Sequence, residues 1–402
     1  MKVLVLNAGS SSVKFKLFSI EKWTVLASGV AESIFEPVST VSFSSKKEHY
    51  RYQEKIDNHT EAITLLVKML VSHQVVSSLR EIAAVGHRVV HGGNLFYEST
   101  LISQEVISQI ESLEPLAPLH NHANLEGIRA IQTLIGDLPQ VAVFDTSFHH
   151  TLPAYAYRYA LPNFLYDNLG VRRYGFHGTS HHYVAKQTAK AMGKKLETLN
   201  VISLHLGNGA SACAIQKGKS IDTSMGMTPL EGLAMGSRSG DIDPGIIFYL
   251  LRHTKLDADE IEKMLNTQSG LKGIIGTNDM RLIEEKIAHE DPLAILAMEI
   301  FVYRIVKYIG AYAAVLGRLD ALVFTGGIGE HSAKTREAVC AKLTLFGAQM
   351  DMHLNTQNKN ECRSIHASDS KIEIWITPTD EERAIAKETV QVTGRKSKKN
   401  EI

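Results

Sequence analysis

Cysteine is scarce: Cys213, Cys340 and Cys362 are the three in 402 residues. They are too few and too scattered for a disulfide framework or a zinc knuckle, and a reducing cytoplasm is the expected home. Net charge is absent as well. Forty-three Lys and Arg balance 43 Asp and Glu, so charge argues for neither nucleic acid nor a membrane surface as partner. No apolar run approaches a membrane span. Lys2 and Val3–Leu6 imitate the start of a signal peptide, but Asn7 cuts that run short. What remains, 44% hydrophobic and 21% charged, is the composition of a soluble globular protein. The length exceeds what one core serves, which predicts two domains.

The first sixteen residues organise the chain. Val3–Leu6 reads as a strand, Asn7-Ala8-Gly9 as a small-residue turn, and Val13–Phe18 as a returning strand. Small residues let backbone N–H groups approach a phosphate, and Lys14 offers a point charge. No Gly-Lys-Ser/Thr opens a helix here, so it is not a Walker loop. A polar hairpin is the plain alternative. The same grammar returns at Ser203–Ile215, with a further strand at Lys219–Thr223, as Trp23–Val30 follows the first hairpin. A third Gly-rich turn, Phe324–Glu330, follows the strand Ala321–Phe324 and precedes a helix. The repetition suggests a duplicated domain with a nucleotide cleft between the copies.

Along the chain, Trp23–Ser45 supplies more strands and Glu61–His73 has helical spacing. Glu81–Val90 reads as a buried strand. His87 and His91 do not suit zinc, because Val89-Val90 favours an extended chain, and Arg88 at the strand's end needs an anion. Pro115–Asn121 reads as a stiff loop, either a pocket wall or plain packing, before a helix over Ala123–Leu134. The strand Gln140–Phe144 ends at Asp145, which is either a ligand-site carboxylate or an N-cap. A boundary is expected between Asp145 and Pro162. His177 lies in a turn whose Gly178-Thr179-Ser180 caps a helix over His181–Lys195, leaving His181 and His182 as surface or packing residues. Asp222–Pro244 is a long Gly-rich loop of the functional kind, with Arg238 mobile between glycines and flanked by Asp241 and Asp243. Helices are predicted at Asp257–Leu265, Pro292–Leu316 and Lys334–Phe346, then a strand at Ile372–Ile376 and a closing helix to about Val392. Arg395–Lys399 reads as a frayed basic tail. Glu381 either holds magnesium or favours that helix's N-terminus.

Eight stretches together resemble the acetokinase family, within the superfamily of acetate and sugar kinases, chaperone ATPases and actin. They are Leu6–Lys14, Gly86–Gly93, Val143–Thr146, Arg172–Ser180, His205–Gly209, Asp222–Pro244, Thr325–Glu330 and Pro378–Glu382. The resemblance implies an α/β fold of two duplicated actin-like, ribonuclease H-like domains with a βββαβαβα core and an interdomain nucleotide cleft. It implies a first domain over 1–147, completed by a C-terminal helix at about 382–402, and a second over 148–381. The second carries the nucleotide site and the interface of a homodimer. It further implies ATP/ADP as co-substrate, Mg2+ with Mn2+ as an alternative, and acetate and acetyl phosphate as the other partners.

Residue by residue, the resemblance assigns the metal to Asn7 and Glu381 and catalysis to Asp145, His177, Arg238 and Arg88. The acid would meet Arg88, Val90, Leu119 and Pro229. The nucleotide would meet Lys14, then His205, Leu206, Gly207, Asn208 and Gly209, then Asp279, Met280 and Arg281, then Gly327, Ile328, Gly329, Glu330 and His331. His331 and Asp380 stand where the family pattern has Asn. Val90 stands where propionate-selective relatives have Ala.

Acetate is ionised at neutral pH, so its phosphorylation needs no strong general base. It needs two mutually repelling anions aligned and their charge neutralised. That predicts direct in-line transfer, with a phosphoenzyme on Asp145 or Glu381 left open. The rival classes are a propionate kinase and an ATP-driven conformational protein of the same fold, which would lack the constellation of Arg88, Asp145, His177 and Arg238.

Overall fold

The structure, a computed structural model, describes residues 1–46 and 48–399, and side chains for all of these except 118, 119 and 395–399. Two compact units result: Met1–Ser147 with the segment from Asp380 onward, and Phe148–Thr379.

The first unit is built on β1 (Lys2–Ala8), β2 (Ser12–Ser19), β3 (Thr24–Glu32), β4 (Ser39–Ser45), β5 (His49–Glu54), β6 (Ile82–Val89), β7 (Thr100–Leu101) and β8 (Gln140–Phe144). Their order is β5-β4-β3-β2-β1-β6-β8-β7, with β1, β6 and β8 mutually parallel and the other pairs antiparallel. A strand buried on both faces must be apolar at every position, and Val3–Leu6 is. Leu4 and Leu6 point into a core with Ile63 and Leu66 of the helix His59–Ser72. Val3 and Val5 point the other way, onto Ile385 and Ala386 of the closing helix Glu381–Lys399. Gly86 of β6 makes that second contact close. A Cβ there would lie 2.3 Å from Thr389 Oγ1 and 2.7 Å from Ile385 Cγ2.

The second unit repeats the plan with β9 (Asn200–Leu206), β10 (Ala210–Gln216), β11 (Lys219–Thr223), β12 (Ala321–Thr325), β13 (Arg363–Ser364) and β14 (Glu373–Ile376). The order β11-β10-β9-β12-β14-β13 matches β3-β2-β1-β6-β8-β7 strand for strand in polarity, down to the antiparallel edge pair. The duplication is therefore one of topology.

Several boundaries differ from the sequence reading. The expected loop Pro115–Asn121 is mostly helix: a short 3-10 turn, then Pro118–Ile135, with Pro118 in the first turn where no amide hydrogen is needed. Leu119 falls in that turn, and its side chain lies outside the described residues. The helix after His177 is Gly178–Ala191, so Gly178, Thr179 and Ser180 form its first turn instead of capping it. Gly326–His331 is itself a short helix. Lys334–Phe346 divides into Ala333–Cys340 and a 3-10 turn at Thr344–Phe346. The closing helix carries the backbone to Lys399; the side chains of the basic tail lie outside the described residues. No helix among the described residues is long and apolar enough to cross a membrane.

Candidate active site

In the first unit the sheet register collects the polar residues. Asn7 pairs with Lys14 across β1 and β2. Leu6 lies beside His87 on β6, and Arg88 lies opposite Val143 on β8. The Asp145 amide donates to the Val89 carbonyl (3.0 Å), which sets Asp145 next to Arg88. Arg88 then donates from Nε to both Asp145 oxygens (3.2 and 3.0 Å), from Nη2 to Oδ2 (2.5 Å) and from Nη1 to Asn7 Oδ1 (3.3 Å). A guanidinium has five N–H groups. Three are thus taken by partners among the described residues, which leaves one on each terminal nitrogen. The Asp145 side chain is 1% exposed and that of Arg88 20%, so the pair is buried behind and open in front. Of the two readings of Asp145, its carboxylate is spent on the arginine.

Glu381 lies 3.9 Å from Arg88 Nε. Burial, then Asp145 and Glu382, push its carboxyl up to about 7, against the pull of Arg88 and Lys14. Burial disfavours the Arg88 charge too, but Asp145 and Glu381 outweigh it and raise its pKa. Asn7 and Glu381 are hard oxygen donors, and a carboxyl held so far up is one that a cation would relieve. The set suits magnesium, which takes one or two carboxylates plus phosphate and water. Among the described residues no group of three or more His, Cys, Asp and Glu is placed to hold a metal. His87 is buried on Gln140 (2.6 Å) and pushed down to about 4 by burial. Val90, 5% exposed, is fixed by its amide on Asn124 Oδ1 (3.0 Å).

In the second unit His177 precedes its helix with φ 56°, a left-handed conformation that costs a non-glycine residue energy. It stacks on His205 at 4.3 Å between centroids, and its Nδ1 meets Ser211 Oγ at 2.9 Å. Ser211 Oγ also meets His181 Nε2 (2.8 Å), and His181 Nδ1 meets Ser203 Oγ (2.7 Å). His181 is wholly buried, and burial holds its pKa well below the usual value. Of the two readings, surface or packing, the structure gives His181 the second: it packs in the interior beneath His177, bonded to two serine hydroxyls. His182 packs as well, stacked on Phe148 at 4.7 Å.

Arg238 reaches the same place. A Cβ on Gly209 would lie 3.4 Å from Arg238 Nη1 and 3.5 Å from the His177 ring, so glycine keeps the gap open. Pro229 contributes its carbonyl, 3.5 Å from Arg238 Nη1. The loop around Arg238, expected to be mobile, is anchored by backbone hydrogen bonds. Met235 donates to the Arg238 carbonyl (3.1 Å), Gly236 to that of Asn208 (2.9 Å) and Ser239 to that of Leu265 (3.0 Å). Its glycines serve close packing: a Cβ on Gly240, at φ 65°, would fall 2.2 Å from the Leu233 carbonyl oxygen. Asp241 accepts from Gly232 (2.8 Å) and Tyr308 (2.8 Å), and Asp243 from Gly245 (2.9 Å).

The expected nucleotide segments meet at the ends of β9 and β12, where His205 pairs with Thr325. Asn208 Oδ1 accepts from Asn278 (2.8 Å), next to Asp279, which caps the helix Met280–Ala288 and chelates Arg281. Leu206, Met280 and Ile328 are buried, so their side chains belong to the core and only their backbones are available to a ligand. Glu330 is likewise engaged, accepting from Gly326 (2.9 Å) and Thr379 (3.0 Å). Gly207 makes a tight turn to the Gly209 carbonyl (3.1 Å), while Gly327 and His331 are exposed and Gly329 is buried.

Three residues were missed by the sequence reading. For His181 the one signal was indirect: its partner Ser203 shares a strand face with His205. Arg173 holds the start of the 222–244 loop by the Thr223 carbonyl (2.6 Å) and Glu231 (2.6 Å). Buried Arg336 donates to the carbonyls of Gly329 and Glu330 (2.9 Å each). No local pattern marks either arginine.

The family model for the acetokinase family matches residues 2–387. A relative from Sulfurovum sp. named acetate kinase is 54% identical over 398 residues, covering 99% of this chain and all of its own. Among solved structures, Porphyromonas gingivalis acetate kinase is 44% identical with a TM-score of 0.92, covering 98% of this chain and 99% of that one. A propionate kinase from Francisella tularensis also reaches 44% and 0.92, covering 97% and 99%.

Proposed function

The chain belongs to the acetokinase family, and from that premise we propose that it is a kinase moving the γ-phosphoryl group of ATP onto acetate, reversibly, to give acetyl phosphate and ADP. The observation that carries the reading is the Arg88 fork. Asp145 and Asn7 take three of its donors and leave one N–H on each terminal nitrogen, donors of the kind that hold a carboxylate. Asp145 is then an orienting residue and no proton acceptor, because acetate arrives ionised.

His177 and Arg238, converging at Gly209, supply a hydrogen-bond donor and a cation where charge builds on the moving phosphoryl group. Ser211 and His181 fix the ring of His177 from behind. Asn7 and Glu381 would hold magnesium, which supplies charge neutralisation on the nucleotide phosphates. Transfer is direct and in line, since acetate arrives ionised as its own nucleophile, Asp145 is committed to Arg88 and Glu381 would be taken up by the metal.

Val90 selects the short acid by filling the space a longer acyl chain needs. The assembly is a homodimer in the cytoplasm. Its support is the helix Gly245–His253, which is almost wholly apolar, has no buried residue and leaves Phe248 and Tyr249 more than half exposed. A coupled assay with ATP, magnesium and a panel of short carboxylic acids tests the function. Acid-dependent ADP release highest with acetate supports it; release independent of any acid would refute it.

A further inference from the structure

The hairpin turn between β1 and β2 is held from behind by a residue fifty positions away. His59, in the first turn of the helix His59–Ser72, meets the Gly9 carbonyl oxygen through Nε2 at 2.6 Å. A carbonyl only accepts, so Nε2 carries the hydrogen. The other ring nitrogen lies 3.1 Å from Glu126, and the His59 side chain is 4% exposed. The edge of Phe35 closes the remaining side, at 5.2 Å and 64°.

The neighbouring carbonyls are drawn inward too. That of Ala8 accepts from Asn124 Nδ2 (2.8 Å), that of Ser11 from the Ile34 amide (3.1 Å) and that of Ser12 from the Gly9 amide (2.8 Å). Ser33 and Phe35, on either side of Ile34, sit at φ 59° and 76°. Two strained residues in a row of three are kept only where the surroundings over-determine them.

The peptide unit Gly9–Ser10 is trans, so its carbonyl and its N–H point in opposite directions. Whatever pulls the Gly9 oxygen inward aims the Ser10 N–H outward. Ser10 is exposed. We propose that His59 is a positioning residue for phosphoryl transfer, holding the Gly9 carbonyl so that the Ser10 amide donates to a phosphate oxygen of the nucleotide. The inference rests on the kinase reading above and adds to it a residue that touches neither substrate.

Glutamine and asparagine separate the two ring nitrogens. In His59→Gln the amide nitrogen stands near the place of Nε2 and keeps the bond to Gly9. In His59→Asn it stands near Nδ1 and loses that bond. Steady-state kinetics, with ATP and acetate varied separately, should show kcat/KM for ATP down about tenfold in His59→Asn, the worth of one hydrogen bond. It should return to within about threefold of wild type in His59→Gln, with KM for acetate unchanged in both. Thermal melts establish that each variant is folded. Equal loss in the two variants, no loss in either, or a change in KM for acetate would overturn the proposal. If His59→Asn does not fold, a folded His59→Gln that loses ATP kcat/KM overturns it alone. Wild type that fails to phosphorylate any acid sinks the kinase reading instead, which keeps the two failures apart.

Discussion

At the scale of the residue, several polar groups of the site are already engaged. Asp145 is consumed by Arg88, Glu330 by the turn it braces, and Ser211 by two histidines. Asp145→Asn should therefore act through Arg88. Removing one partner of a buried pair costs about 3–5 kcal/mol. KM for acetate should rise more than kcat falls, and a variant with lowered kcat and normal acetate KM would return Asp145 to a chemical role. His177→Ala should cost about 10²–10³ in kcat, as for one lost transition-state donor. Val90→Ala tests the acid: KM for propionate should fall while acetate turnover holds, within the ~1–3 kcal/mol that one methylene allows. No change in propionate KM would remove Val90 from the selection. At this scale the sequence was legible wherever a residue stood at a strand's end or in a Gly-rich turn. It was not legible for His181, Arg173 and Arg336, whose partners are backbone and side-chain groups set by tertiary packing.

Elements were legible in proportion to their burial. β1, β8 and β12 are buried along nearly their whole length and read as unbroken apolar runs. The edge strands β7 and β13 are two residues each and leave no pattern. The helix Gly245–His253 is apolar almost throughout, so no period marks it. Pro118 reads in the sequence as loop stiffness, whereas it starts a helix. The contact between β6 and the closing helix gives a prediction of its own. Gly86→Ala places a methyl group against Thr389 and Ile385, and overpacking of this kind costs about 1–3 kcal/mol. Urea unfolding should show the loss; unchanged stability would mean that the helix moves away freely.

The whole molecule carries several histidines that fold uncharged. Burial pushes His87, His149 and His182 down to about 4, and His181 well below the usual value. Above pH 6.5 neither state binds these protons. Between about 6.5 and 4 the unfolded chain takes them up and the folded chain does not, so stability falls across that window. Glu381, pushed up to about 7, works the other way, but it is one group against four. The melting temperature should drop steadily from pH 6.5 downward, and a flat profile to pH 4.5 would show that the histidines are solvated. The duplicated topology was legible at this scale because both hairpins repeat one grammar, although the residues themselves do not repeat. In the proposed reaction Arg238 meets the phosphoryl group as it moves. Arg238→Ala, assayed with ATP, magnesium and acetate, should lose about 10³–10⁵ in kcat with KM for ATP within a few-fold of wild type; near-normal turnover would contradict the account.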